Sequence, residues 1–385
     1  MSSERKNSKL WRIRSMFLKE LNLIKNDKYA LLLVFVLPGM IMGTMFVAIE
    51  QGEAGQMMGE TSDESSGDVL SVGVVDADPT NTYPGQDLSE NFTWYLQESS
   101  SLLVTMYDTE EEALDALYRD SVDAYAVIPY GFEGNISGDI PAFVQIHISS
   151  TNFDQQSAVY TAFSQAIVSF RSDHGWIKGE VRMKNVREFE PEGNYTAATF
   201  GVFLLVFASF IATAATAAQA IVGDIPLNRM LLTPATKLEA ILSKTLAYFT
   251  VGMIQAQFLL VLWIGLFGIV PNTDYLTLNA VLALMAFSGS ALGVFISTLC
   301  NTRLQANQSF LLLLFSSFIV GTGFMDVGIV DEYYPLNLGR VMLFDTAFKG
   351  LPITYFTPDI IRVLIFSSAM LLLAYIVFMN RQTLA

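Results

Sequence analysis

Residues 221–246 read IVGDIPLNRMLLTPATKLEAILSKTL, a polar island between two long apolar runs at 197–222 and 247–270. The island carries Asp224, Arg229, Lys237, Glu239 and Lys244, with Leu231, Leu232 and Pro234 forming an apolar knob among them. Runs of that length are long enough to cross a bilayer, and so much charge between them must lie in water at a membrane face. The fold class that follows is an α-helical polytopic membrane protein.

Composition agrees, since 52% of the 385 residues are hydrophobic and only 15% are charged. The net charge of −15 is unevenly spread. Residues 1–28 hold eight Lys/Arg against three acids, whereas 50–196 hold six against twenty-six. The first block marks a cytoplasmic flank and the second a large, water-exposed acidic domain. Cys300 is the single cysteine, so no internal disulfide braces that domain and its own core must hold it.

Upstream of the island, Leu10, Ile13, Phe17, Leu21 and Ile24 recur at helical spacing among Arg12, Arg14, Lys19, Lys25 and Lys28. This reads either as an amphipathic helix on the inner leaflet or as a basic flank that orients the first span. Both readings put the N-terminus in the cytoplasm. Residues 29–49 are uncharged and too long for a signal-peptide core, so they read as an uncleaved anchor with a kink at Pro38-Gly39.

Residues 50–68 read as a Gly/Ser/acid-rich linker. Folded structure is expected from there, with strands at 69–75, 102–106, 124–128 and 143–148 and helices at 87–97, 109–119 and 154–170. Thr109 and Glu112 have the spacing of a capping box. A charged stem, 171–192, is expected to return the chain to the membrane. The alternation implies a small α/β domain inserted between the first and second spans. Its sequons at Asn91, Asn135 and Asn194 are candidate glycosylation sites. His147 and His174 are not at metal-ligand spacing, so no metal site is expected.

Downstream, spans are expected at 197–222, 245–270, 278–300, 306–325 and 362–379, making six with the first. The segments then assigned inside hold thirteen Lys/Arg, against Arg340, Lys349 and Arg362 in the short outer loops. That bias satisfies the positive-inside rule and leaves both termini cytoplasmic. Residues 326–359 mix apolar runs with charges and aromatics, and read as a re-entrant or interfacial hairpin at the outer face or as an ordinary loop.

Catalytic chemistry has no foothold. The dipeptide Gly-Lys, which a phosphate-cradling loop needs, is absent, and two isolated histidines with one cysteine make no triad. The spans carry almost no ionisable residues, which argues against an ion-coupled carrier. Gln219, Gln255, Gln257, Asn307 and Gln308, with Thr213 and Thr216, read for the most part as hydrogen-bonding glue between helices, a substrate contact being the alternative. The run ASFIATAATAAQA at 208–220 and the pair Gly289 and Gly293 offer small faces for close helix approach, within the subunit or across a dimer.

Four stretches, taken together, resemble the permeases of type-2 ATP-binding-cassette (ABC) exporters. FLKELNLIKNDKYALLLVFVLP (17–38) is similar to that family's amphipathic helix and first span. DTEEEALDALYRDSVDAYAVIPYGFEGNI (108–136) is similar to its exterior-domain signature, and LGVFISTLCNTRLQANQSFLLLL (292–314) to the junction of its fourth and fifth spans. The polar island resembles the loop that docks on the ATPase, although Asp224-Ile-Pro226 stands where the family often has Glu and Arg.

The resemblance implies six spans per subunit, a homodimer or a heterodimer with a related permease, and two ABC ATPase subunits beneath it. It also implies a coupling loop at 223–244 and outward release of an amphiphilic or small substrate across the cell membrane. ATP and Mg would act only through the partner ATPase, with no cofactor on this chain and no nucleic acid among its partners. The competing reading is a membrane-anchored receptor or scaffold whose exterior domain binds a partner.

Overall fold

A computed structural model describes residues 9–50, 69–81, 83, 86–151, 155–176, 178–222, 235–321 and 332–380. The chain divides into two compact units, one of Met1–Met57 with Pro191–Ala385 and one of Met58–Glu190. The first opens with helix α1, Lys9–Asn26. Its buried face centres on Met16 and Glu20, while Leu10, the first residue of the expected apolar stripe, is exposed. Helix α2 runs through Lys28–Leu31, a π-helical turn at Leu32–Val36, and Leu37–Glu50. The π turn sits just before Pro38, whose missing N–H and bulky ring disturb the preceding turn.

The second unit is built on a five-stranded sheet of β1 (Leu70–Asp76), β2 (Leu102–Tyr107), β3 (Ala124–Ile128), β4 (Ala142–Ser149) and β5 (Val181–Glu188), in the order β2-β1-β3-β4-β5. Neighbouring strands run parallel except β3 and β4, which are antiparallel. Helices α3 (Leu88–Glu98), α5 (Phe132–Ser137) and α6 (Gln156–Asp173) cover one face, and α4 (Glu110–Tyr118) packs on the other.

Alternation along the strands decides which residues meet these helices. Val72, Val74, Ala126, Val144 and Ile146 point to the three-helix face, where Phe92, Phe132 and Phe170 pack against one another. Val75, Tyr125 and Val127 face α4. Helix α4 opens as its sequence demands, Thr109 Oγ1 accepting from the Glu112 N–H at 3.2 Å.

Two features of this unit correct the sequence reading. The expected charged stem holds the end of α6 and an eight-residue edge partner for β4, since β5 pairs with it from Ala142↔Val181 to Ser149↔Glu188. Its charges sit on an edge strand, where exposed charged side chains guard against further pairing. Helix α5 was not anticipated at all. It follows Gly131, whose φ of +80° lets the chain turn sharply after β3.

That turn is locked by a buried carboxylate. Asp78 accepts hydrogen bonds from the N–H groups of Gly131 (3.2 Å) and Glu133 (3.0 Å) and from the Thr80 hydroxyl (2.6 Å). Burial pushes the Asp78 carboxyl up, but the Thr80 hydroxyl and the surrounding N–H groups outweigh it and hold it below its ordinary value of 3.8. Glu133, fully buried, accepts in turn from Leu88 N–H at 2.6 Å.

The first unit resumes with α7 (Tyr195–Ala217), which contains a π-helical turn at Ala208–Ala212 and is capped by Asn194, its Oδ1 accepting from Ala197 N–H at 3.0 Å. Then come α8 (Lys237–Phe267), α9 (Tyr275–Leu299), α10 (Arg303–Gly321), α11 (Pro335–Phe344) with a π turn at Asp345–Lys349, and α12 (Thr357–Asn380). Among the described residues, four helices are long and apolar enough to cross a membrane: Tyr195–Ala217, Lys237–Phe267, Tyr275–Leu299 and Ile353–Asn380. Of the six expected spans, 29–49 falls in the broken α2 and 306–325 in α10, described only as far as Gly321, and neither is among these four.

Helices α7 and α9 touch backbone to backbone. Gly289 lies directly on the Phe210 carbonyl and Gly293 on that of Ala214, where any side chain would collide. This pair of glycines therefore serves packing within the chain. The expected outer hairpin at 326–359 includes α11 and its π turn from 335 onward, with Asp345 and Lys349 buried 3.4 Å apart. Residues 326–331 lie outside the described residues.

Candidate functional site

Of the residues singled out in the polar island, Asp224, Arg229, Leu231, Leu232 and Pro234 lie outside the described residues. Lys237, Glu239 and Lys244 open α8, and the structure shows what each one touches. Thr236 and Glu239 form a full capping box: Thr236 Oγ1 accepts from Glu239 N–H at 3.2 Å, and the Glu239 carboxylate accepts from Thr236 N–H at 3.1 Å. The same carboxylate takes both prongs of the Arg12 guanidinium, Nε at 3.1 Å and an Nη at 2.6 Å. A two-pronged pair fixes orientation as well as distance.

One and a half turns along α8, Lys244 Nζ donates to Glu20 of α1 at 2.8 Å, with side-chain exposures of 1% and 4%. Two ion pairs thus hold α1 along the first turns of α8. Lys237 reaches elsewhere, donating to the carbonyl oxygens of Phe378 (2.9 Å) and Met379 (3.2 Å) at the last turn of α12 and lying over the Phe378 ring. A cation at a helix C-terminus satisfies carbonyls that have no partner within the helix.

Beneath these pairs Met16, Ile241, Tyr248, Val294, Ala374 and Phe378 make one apolar cluster. The upstream side of the island is tied down as well. The N–H groups of Ile221 and Val222 both donate to Ser297 Oγ of α9, at 2.9 and 3.2 Å. Residues 223–234 therefore join two anchored points, one held by α9 and one by the capping box and α1.

No site role was read from sequence for Arg12, Glu20, Ser297 or Phe378. Glu20 offered a signal, being the only acid within Lys9–Asn26 while Lys244 stands at the mouth of an apolar run. Asn91 lies on α3, where Thr93 of its sequon is buried and donates to Ser89 O, Asn135 lies in α5, and Asn194 caps α7. His147 stacks on Tyr125 and bonds Glu188 at 2.7 Å, and no metal-holding cluster occurs among the described residues. In keeping with the glue reading, Gln219, just past the end of α7, is hydrogen-bonded to Asn307 of α10 and Gln257 of α8 to Asn279 of α9, whereas neither amide atom of Gln255 has a partner.

A bundle of long apolar helices, a separately packed α/β unit and the ion pairs that join α1 to α8 define a polytopic membrane protein of the permease class. The family described as ABC-2 family transporter protein matches residues 29–379, and the chain belongs to it. A search of curated proteins found no match. Permeases of this family are transmembrane subunits of ABC transporters, without an ATPase site of their own, and they associate with an ABC ATPase in the membrane. The receptor or scaffold reading is not favoured.

Proposed function

We propose that this chain is the permease subunit of an ABC exporter, moving an amphiphilic or small substrate outward across the cell membrane on ATP hydrolysed by a separate subunit. In this reading it has six spans and cytoplasmic termini, and its α/β unit is extracytoplasmic. It pairs with a second copy or a related permease, above two ATPase subunits.

The observation that carries the reading is the anchoring of the chain on either side of residues 223–234, at Ile221 and Val222 and at Thr236 and Glu239. A push on a loop tied to Ser297 on one side and to the Thr236–Glu239–Arg12 group on the other is delivered to α9, α8 and α1 together. Leu231, Leu232 and Pro234 suit the apolar centre of such an interface, with Asp224 and Arg229 at its rim. Lys237, Glu239 and Lys244 then stiffen the helix that receives the push, since all three are engaged within the chain.

The test is Leu231→Ala combined with Leu232→Ala. Removing apolar anchors from an interface costs about 1–3 kcal/mol each, so co-purification of the ATPase and substrate-stimulated hydrolysis should both fall. Lys237→Ala should leave ATPase binding nearly intact. Normal ATPase binding and full transport in the double leucine variant would remove the loop from the mechanism.

A further inference from the structure

The sheet of the α/β unit ends on β5 at one edge and on β2 at the other, and the two edges are unlike. Strand β5 carries four charges in eight residues. Strand β2 reads LLVTMY, within a run from 99 to 107 that holds neither a charge nor a proline. Its Leu103 and Met106, on opposite faces of the sheet, are 61% and 48% exposed. An uncharged apolar edge is a template for another strand, which is why edges left in water are guarded by charge or proline.

Alternation along the strand fixes which peptide groups this edge offers. Leu70 N–H donates to Ser101 O, so Ser101, Leu103, Thr105 and Tyr107 turn their backbone groups towards β1. Leu102, Val104 and Met106 turn theirs outward, and the N–H of Leu102 already donates to Ser99 O. Among the described residues, no turn or side chain takes up the outward groups of Val104 or Met106. Charge decides what pairs with them. Residues 50–196 hold twenty-six acids against six Lys/Arg. A basic partner is drawn to the acids, whereas a second copy, equally acidic, is repelled by them and meets none along β2.

We propose that two copies of the chain join their α/β units edge to edge through β2, antiparallel about a twofold axis at Thr105, so that the two sheets become one. In this register Val104 of each copy lies opposite Met106 of the other, and each such pair exchanges both its N–H···O=C bonds, which satisfies every outward group of the two residues. Leu103 comes opposite Tyr107 of the second copy and is covered by it. Asp108 comes opposite Leu102, far from the second copy's Asp108. The proposal rests on the reading that the permease works in pairs, here as identical copies, and supplies a surface that joins them.

The test is disulfide formation in lipid vesicles holding the full chain with Cys300→Ala and Thr105→Cys. At the axis the two copies of residue 105 form a non-hydrogen-bonded pair with Cα atoms about 4.5 Å apart, within reach of a disulfide. Copper phenanthroline, the oxidant, should give a product of twice the chain's mass about tenfold faster than with Lys184→Cys, an exposed position on the opposite edge, because thiols held side by side meet at high effective concentration. Adding Met106→Pro should abolish the product and leave Tm nearly unchanged, since that N–H points out of the sheet and the β1–β2 ladder loses no bond. Met106→Lys, which guards the edge with charge, serves as the second blocking variant should proline perturb the strand. Light scattering of the purified chain reads the copy number independently. A dimer that forms no Thr105→Cys disulfide would overturn the β2 pairing and leave the two-permease reading standing, whereas a monomer would overturn the pairing of identical copies altogether. A product that survives both blocking variants would also overturn the proposal, as chance collision.

Discussion

Glu20 and Lys244 stand 224 residues apart in sequence and 2.8 Å apart in space, with almost no solvent around either. Losing one member of a buried pair strands the other, at a cost of about 3–5 kcal/mol, whereas replacing both by apolar residues of similar size is close to neutral. Glu20→Ala should therefore lower the thermal midpoint of the purified chain sharply, and Glu20→Met with Lys244→Met should restore most of it. A double variant no more stable than the single would show that the carboxylate acts otherwise. Sequence gave Lys244 a place at the mouth of a span but not its partner, because a long-range pair leaves no periodic trace. The Thr236-x-x-Glu239 spacing, by contrast, is a local signal, and the capping box forms as that spacing dictates.

Among the elements, β5 shows how an edge strand hides. Its residues VRMKNVRE carry four charges in eight positions, and only Val181 is buried among the core hydrophobics. Periodicity alone therefore offered a stem. Strands such as β3, buried at all five positions, were legible because nothing polar interrupts them. The correction changes an experiment. A soluble fragment of residues 69–190 should unfold cooperatively in urea, while one ending at 173 loses the partner of β4 and should be markedly less stable or unfolded. Equal midpoints would mean that β5 adds nothing.

The Asp78 turn adds a pH dependence to the same fragment. Its carboxyl is held below 3.8 in the folded state, so its stabilisation is complete above that value and disappears as pH falls through the folded pKa. Thermal midpoints should thus be flat near neutrality and decline below about pH 4. Asp78→Asn should lower the midpoint at neutral pH and flatten part of the acid decline.

At the scale of the whole molecule, the α/β unit and the polar loop are proposed to lie on opposite sides of the membrane. Cysteines at Ser66, Ser121 or Ser172 should then react with impermeant reagents from outside intact cells, while cysteines at Ser8 or Thr236 should not. Outside labelling at Thr236 would overturn the arrangement. The class of protein was legible from apolar runs and charge bias, since both are properties of whole segments. The helix contacts were not, because Gly289 on Phe210 and Arg12 on Glu239 depend on how spans come to lie beside one another.

The clasp at the base also sets an order of manufacture. Helix α1 leaves the ribosome before α8, its partner Glu239 following more than two hundred residues later, and Lys237 must wait for Phe378 and Met379. The base consequently closes only after α12 has been made. Before α8 is made Glu20 lacks Lys244, a mark by which a chain cut short of α8 differs from one that contains it.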